Sequence, residues 1–175
     1  IYFYKRCYEL EPINFRYASA LGYRYYLNVM ELTKQRGRRD GSVRNEIDDA
    51  INWLDKAIEL NPRSIKDNYR KGKLILDKQI DNFKYPSRKW TSEDLRELKN
   101  MEVKGVESLK RVIEIYEGLT DNKYRNYLFR EYVRALYSLG SFYLDKAETY
   151  WDEYICSKMV GKEVNFVYYQ KDIRY

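Results

Sequence analysis

Ala50-Ile51-Asn52-Trp53-Leu54-Asp55-Lys56-Ala57-Ile58-Glu59-Leu60-Asn61-Pro62 is the stretch on which the reading of this chain turns. Its apolar residues recur three and four apart, which places them on one helical face. Pro62 then stands where one helix must stop and another can begin, because proline is tolerated in a first helical turn. The pattern returns at an offset of 55 as Gly105-Val-Glu-Ser-Leu109-Lys-Arg-Val112-Ile113-Glu-Ile115. It also occurs at an offset of 50 in the other direction, as Tyr4-Lys-Arg-Cys7-Tyr8-Glu-Leu10-Glu-Pro12.

A second pattern follows each proline. Ten residues after Pro12 comes Gly22, within Ala18-Ser-Ala-Leu21-Gly22-Tyr-Arg-Tyr25, and ten residues after Pro62 comes Gly72, within Asn68-Tyr69-Arg-Lys-Gly72-Lys-Leu-Ile75. It appears a third time as Leu136-Tyr-Ser-Leu139-Gly140-Ser-Phe-Tyr143. A glycine inside a helix costs about 1 kcal/mol relative to alanine. Its recurrence on one motif predicts that Gly22, Gly72 and Gly140 each lie where a neighbouring helix approaches too closely for a side chain.

At these residues the sequence resembles the tetratricopeptide-repeat (TPR) family. That family shows W-x-x-L-G-x-x-Y on the first helix of each pair, and A-x-x-x-F-x-x-A followed by proline on the second. Leu21-Gly22-x-x-Tyr25 and Leu139-Gly140-x-x-Tyr143 are similar to the first, and Ala50-x-x-x-Leu54-x-x-Ala57 with Pro62 to the second. The resemblance covers most of residues 1–155. It implies an all-α fold, a right-handed α-solenoid of antiparallel helix pairs. The family period is about 34 residues. Here the longer offsets put extra residues between the helices of each pair, near Leu32–Glu46 and Asp81–Met101.

The predicted map has helices at 1–11, 12–36, 43–61, 62–82 and 92–117, then a long one from Asn122 to about Ala147 and a last one from Trp151. Gly37, Gly41 and Pro86 mark turns, and Ser42 and Thr91 or Ser92 are N-cap candidates. Residues 1–160 form the repeat domain, which starts mid-repeat and so reads as part of a longer chain. Residues 161–175 are a tail or capping segment.

The 175 residues suffice for one domain with a sizeable core. Only 3 Pro and 8 Gly occur, too few turn residues for an all-β chain. Lys and Arg exceed Asp and Glu by 33 to 27, a mild excess that permits an acidic partner without demanding one. Most charged residues read as solvated helix faces, and most of the 20 Tyr as packing residues. Cys7 and Cys156 have no metal or redox spacing; Cys7 reads as a small core residue in a reduced compartment, with one disulfide between the two as the alternative. No run of about 18 apolar residues spans a membrane.

There is no His, which removes the commonest general base and most zinc sites. No P-loop or glycine-rich nucleotide motif occurs. Asp48-Asp49 and Glu93-Asp94 are adjacent and do not face each other on a helix, so they make poor acid–base pairs. Neither a catalytic residue, a metal site nor a cofactor is expected.

Binding residues follow from the resemblance, because first helices of such arrays line the concave face. This nominates Arg16, Ser19, Tyr23 and Tyr26, then Lys66, Tyr69, Arg70 and Lys73, then Arg134, Tyr137 and Ser141. A basic and aromatic surface suits an acidic peptide, a terminal carboxylate or a phosphate backbone; the competing reading is ordinary solvated side chains. Lys66 and Arg70 resemble part of the clamp with which some family members hold chaperone tails, but Ser19 and Tyr23 stand where that clamp has Lys and Asn. A rival site for nucleic acid is Arg36, Arg38 and Arg39 with Lys84, Arg88, Lys89 and Trp90. The resemblance thus implies a scaffold holding a protein or peptide; the Lys/Tyr/Ile-rich composition reads as bacterial-type and the cysteine usage as cytoplasmic. The alternatives are a nucleic-acid-binding subunit or the regulatory array of a larger enzyme.

Overall fold

A computed structural model describes residues 1–36, 41–80 and 91–160. Gly37, Arg38, Arg39, Pro86 and the tail after Val160 lie outside the described residues, and the side chains of Arg36, Ser42 and 152–160 are likewise not described. The described residues are helical, with no strand among them. The helices are α1 (Tyr2–Leu10), α2 (Phe15–Arg36), α3 (Gly41–Leu60), α4 (Ile65–Leu74, continuing as a π-helical turn Ile75–Gln79), α5 (Ser92–Glu117) and α6 (Asn122–Val160).

The two prolines do not open helices as expected; they sit in the turns before them. Helices end at Leu10 and Leu60 and restart at Phe15 and Ile65. Each turn is closed by the same hydrogen bonds fifty residues apart. The Glu11 and Asn61 amides donate to the Cys7 and Ala57 carbonyls, and the Asn14 and Ser64 amides donate to the Glu11 and Asn61 carbonyls. Proline fits there because its fixed φ suits the second position of a turn. Gly41 and Ser42, read as turn and N-cap, fall inside α3. Thr91 does cap α5: its hydroxyl accepts the Asp94 amide while Asp94 accepts from the Thr91 amide.

Two helix pairs run antiparallel. In the first, Gly22 lies against Leu54, whereas Asn28 donates to Glu46 at 3.5 Å, so the partner's numbering falls as α2 advances. In the second, Gly72 lies against Leu109 and Leu76 against Gly105. A methyl on Gly22 would come within 2.8 Å of Leu54 Cγ, and one on Gly72 within 2.7 Å of Leu109 Cγ. Those leucines stand at the same place in the repeated motif, and both are fully buried. Each contributes about 1.5–3 kcal/mol of burial, and the missing side chain beneath it lets the helices approach.

The third predicted glycine behaves differently. Gly140 is exposed and an added methyl would meet nothing within 4 Å among the described residues. It belongs to one uninterrupted helix, α6, with no break before Trp151. The chain divides into two compact units, Ile1–Ser138 and Leu139–Tyr175, and Gly140 lies in the second.

The core of the first unit gathers Tyr25 and Val29 from α2, Val43, Ile47 and Ala50 from α3, and Leu74 from α4. On α4, Leu74, Ile75 and Leu76 are all buried. The π turn, in which the backbone widens, starts within this buried run. On α1, Tyr8 packs edge-on to Trp53 of α3, ring centroids 5.0 Å apart. Cys7 is a half-buried free thiol. No described helix is long and apolar enough to cross a membrane.

Candidate binding cavity

The first unit contains a cavity of about 480 Å³ lined by α2, α4 and the start of α6. α2 contributes Tyr23, Tyr26 and Leu27; α4 contributes Lys66, Tyr69, Arg70 and Lys73; α6 contributes Arg130, Glu131, Arg134, Tyr137 and Ser138. These three helices carry the three glycine motifs, so corresponding faces of the repeated element converge on one space.

The α4 wall is positioned from below by Asp67, only 1% exposed. Its carboxylate accepts from the Ser19 hydroxyl at 2.7 Å, the Ser64 hydroxyl at 2.5 Å and Arg70 Nη1 at 3.1 Å. Four charge-assisted or capping contacts thus tie α2, the α4 N-terminus and Arg70 together; the fourth is the Asp67 amide, which donates to Ser64 Oγ at 3.4 Å. Arg70 is thereby held over the Tyr23 ring, 4.1 Å from its centroid. Lys66 donates to the Tyr127 hydroxyl and lies 4.2 Å from that ring's centroid. Lys73 is paired with Asp77 at 2.5 Å.

Burial pushes the Tyr26 hydroxyl up to about 12, reinforced by Tyr69 and Asp77 and opposed by Arg70 and Arg134. Burial likewise raises Tyr69, against the lowering influence of Lys73 and Arg134. Both phenols are therefore neutral hydrogen-bond donors at physiological pH. On α6, Glu131 is 6% exposed and accepts from Arg130 Nη2 at 3.1 Å. Arg134 has no salt bridge among the described residues.

Of the residues nominated from sequence, Tyr23, Tyr26, Lys66, Tyr69, Arg70, Lys73, Arg134 and Tyr137 are brought together in this lining. Arg16 is exposed and outside it, with its amide used by the Asn14 side chain at 3.2 Å. The Ser19 hydroxyl is committed to Asp67, and Ser141 belongs to the second unit. Of the rival nucleic-acid set, Arg36 ends α2, and Arg38, Arg39, Lys84, Arg88, Lys89 and Trp90 lie outside the described residues.

Leu27, Arg130, Glu131 and Ser138 line the cavity without having been nominated. Phe15 and Ile65 each start a helix seven residues before their glycine, but Asn122 starts α6 eighteen residues before Gly140. Arg130 and Glu131 therefore occupy an extra stretch of helix that has no counterpart in the other motifs. Extending the Arg134–Tyr137 stripe back by one turn is the signal that finds them.

No protein-family model matches this chain, and neither does any curated protein or solved structure. The functional reading therefore stands on the geometry of the cavity and on the internal repeat.

Proposed function

We propose that the chain is a TPR-like array of helix hairpins, an α-solenoid segment, that binds an extended peptide of a partner protein through the cavity of α2, α4 and α6. The observation that carries this reading is the convergence of three equivalent helix faces on one tyrosine- and cation-lined space of about 480 Å³. The repeated seats of Leu54 on Gly22 and Leu109 on Gly72 support the array. Four tyrosines, Tyr23, Tyr26, Tyr69 and Tyr137, offer broad apolar faces with a polar tip. Rigid helices hold them in place before the ligand arrives, which limits the entropy lost on binding. Five cations against one carboxylate in the lining favour a peptide with acidic side chains.

The test is selection of 12-residue peptides from a random display library against the full chain, followed by titration of the enriched peptide. Tyr69→Ala with Lys73→Ala is expected to weaken binding by roughly tenfold or more, since central aromatic anchors dominate such interfaces. Arg134→Ala with Tyr137→Ala removes two exposed side chains and tests the α6 wall of the same cavity without disturbing the core. Wild-type affinity in both double variants, with the circular-dichroism spectrum unchanged, would remove the cavity from consideration.

A further inference from the structure

Glu131 is the one acidic side chain in a lining that holds Lys66, Arg70, Lys73, Arg130 and Arg134. Its side chain is 8% exposed, whereas its partner Arg130 is 70% exposed and reaches it from the solvent side at 3.1 Å. A carboxylate withdrawn from water beside a ligand space is poorly screened, so it acts strongly on any charge that enters.

The cations opposite it are mostly committed. Arg70 is held by Asp67 at 3.1 Å and Lys73 by Asp77 at 2.5 Å, whereas Lys66 donates to the neutral Tyr127 hydroxyl and keeps its charge. Arg134, one helical turn from Glu131, has no salt bridge among the described residues. An entering anion therefore meets one open guanidinium and one buried carboxylate. A first negative charge is matched by Arg134. A second finds only Lys66, whose ammonium is turned to the Tyr127 ring and hydroxyl, and adds repulsion from Glu131.

We infer that Glu131 is a specificity-determining residue that makes the cavity accept singly charged carboxylate side chains and reject doubly charged phosphorylated ones. The inference rests on the peptide-binding reading above and names the ligand class within it. Specificity of this kind is a difference of affinities built from a repulsive element as well as an attractive one. Tyr26 and Tyr69, both neutral donors, supply hydrogen bonds that a carboxylate accepts without needing further positive charge.

The experiment uses two probes on the full chain, the acetylated heptapeptide Gly-Tyr-Glu-Gly-Tyr-Glu-Gly and its counterpart with phosphoserine at both glutamate positions, titrated by fluorescence anisotropy. The wild-type chain is expected to prefer the glutamate peptide by on the order of tenfold. Glu131→Gln, similar in size and uncharged, is expected to remove most of that preference by strengthening phosphopeptide binding. Glu131→Asp, which keeps the charge, is expected to restore it. An unchanged preference in Glu131→Gln, or a wild-type preference for the phosphopeptide, overturns the role of Glu131 and leaves peptide binding standing. If neither peptide binds any of the three chains and the display selection enriches none, the peptide reading itself falls and this inference with it.

Discussion

The α2/α3 and α4/α5 pairs are built from one repeated plan, yet they close at different depths. In the first, the three atoms nearest a methyl on Gly22 all belong to Leu54, its Cγ at 2.8 Å, Cδ2 at 2.9 Å and backbone nitrogen at 3.1 Å, and the motif's small position is Ala50. In the second, that position is Gly105. Its carbonyl oxygen would lie 2.9 Å from a methyl on Gly72, and a methyl on Gly105 would come within 2.6 Å of Leu76. The second pair thus meets backbone to side chain and backbone to backbone, with glycine on both helices. The closer seat coincides with the π turn that starts within the buried run Leu74, Ile75 and Leu76. The second pair also has the buried Asp67 cluster, whereas the first has Tyr17 fifty residues earlier. One plan therefore yields a pair with a single glycine at the seat and a closer pair with glycine on both helices, and the closer one carries the α4 wall of the cavity.

The largest expected effect comes from Asp67→Ala. It strands the Ser19 and Ser64 hydroxyls and frees Arg70 from the only salt bridge recorded for it among the described residues. A loss of about 3 kcal/mol in unfolding free energy is expected from breaking a buried, charge-assisted cluster, measured by urea denaturation. Tyr17→Ala at the equivalent place in α2 is expected to cost clearly less. Equal losses would erase the distinction between the pairs.

The glycines come next. Gly72→Ala is expected to cost about 2 kcal/mol net, because overpacking against a backbone oxygen exceeds the helix-propensity gain. Gly22→Ala is expected to cost about 1 kcal/mol or less, since the two nearest atoms belong to the Leu54 side chain, which can yield, and the backbone nitrogen lies farther off at 3.1 Å. Double variants sharpen the contrast. Leu54→Ala is expected to relieve Gly22→Ala more fully, leaving the Leu54 amide nitrogen at 3.1 Å, than Leu109→Ala relieves Gly72→Ala, where the Gly105 oxygen stays at 2.9 Å. Full relief in both cycles would show that the backbone contact is not the limit.

Where Leu76 stands in the second pair, the first has Tyr26 fifty residues earlier, half-buried at the cavity. Its raised pKa means that the folded chain holds the phenol proton more tightly than the unfolded chain does. That contribution is fully present below about pH 10, the ordinary tyrosine value, and is lost as pH rises through about 12. A phenolate absorbance titration should show tyrosines lagging the rest, Tyr69 among them, with the last step gone in Tyr26→Phe. An identical titration in the variant would mean that the cavity is wetter than the geometry indicates.

The glycine seats and the helix-ending prolines were legible in the sequence because they recur in register, and recurrence exposes a packing constraint that one glycine would not. Eight of the cavity's lining residues were legible for the same reason, read off equivalent faces. Three features were not. The π turn is written only as a short apolar run, Leu74-Ile75-Leu76, which a regular helix would also tolerate on paper. The proline turns were placed one step late, since proline fits both the turn and the first helical position. Arg130 and Glu131 lie on the extra turns of α6, beyond the reach of the repeat.

The smallest effect tests Gly140, the glycine that kept the motif without the seat. The expectation of a break near Trp151 came from the family's hairpin plan; the residues themselves argue otherwise, because no Gly or Pro occurs from 141 to 160. In the continuous helix Gly140 is exposed, and an added methyl meets nothing within 4 Å among the described residues. Only backbone propensity then remains, and Gly140→Ala should stabilise the helix by about 0.5–1 kcal/mol. The sign is opposite to that at Gly72, which makes the pair of variants more informative than either alone. Slower amide hydrogen exchange across residues 141–151 would register the gain locally. Faster exchange there would mean that a helix does lie on Gly140 in solution, as Leu54 lies on Gly22 and Leu109 on Gly72.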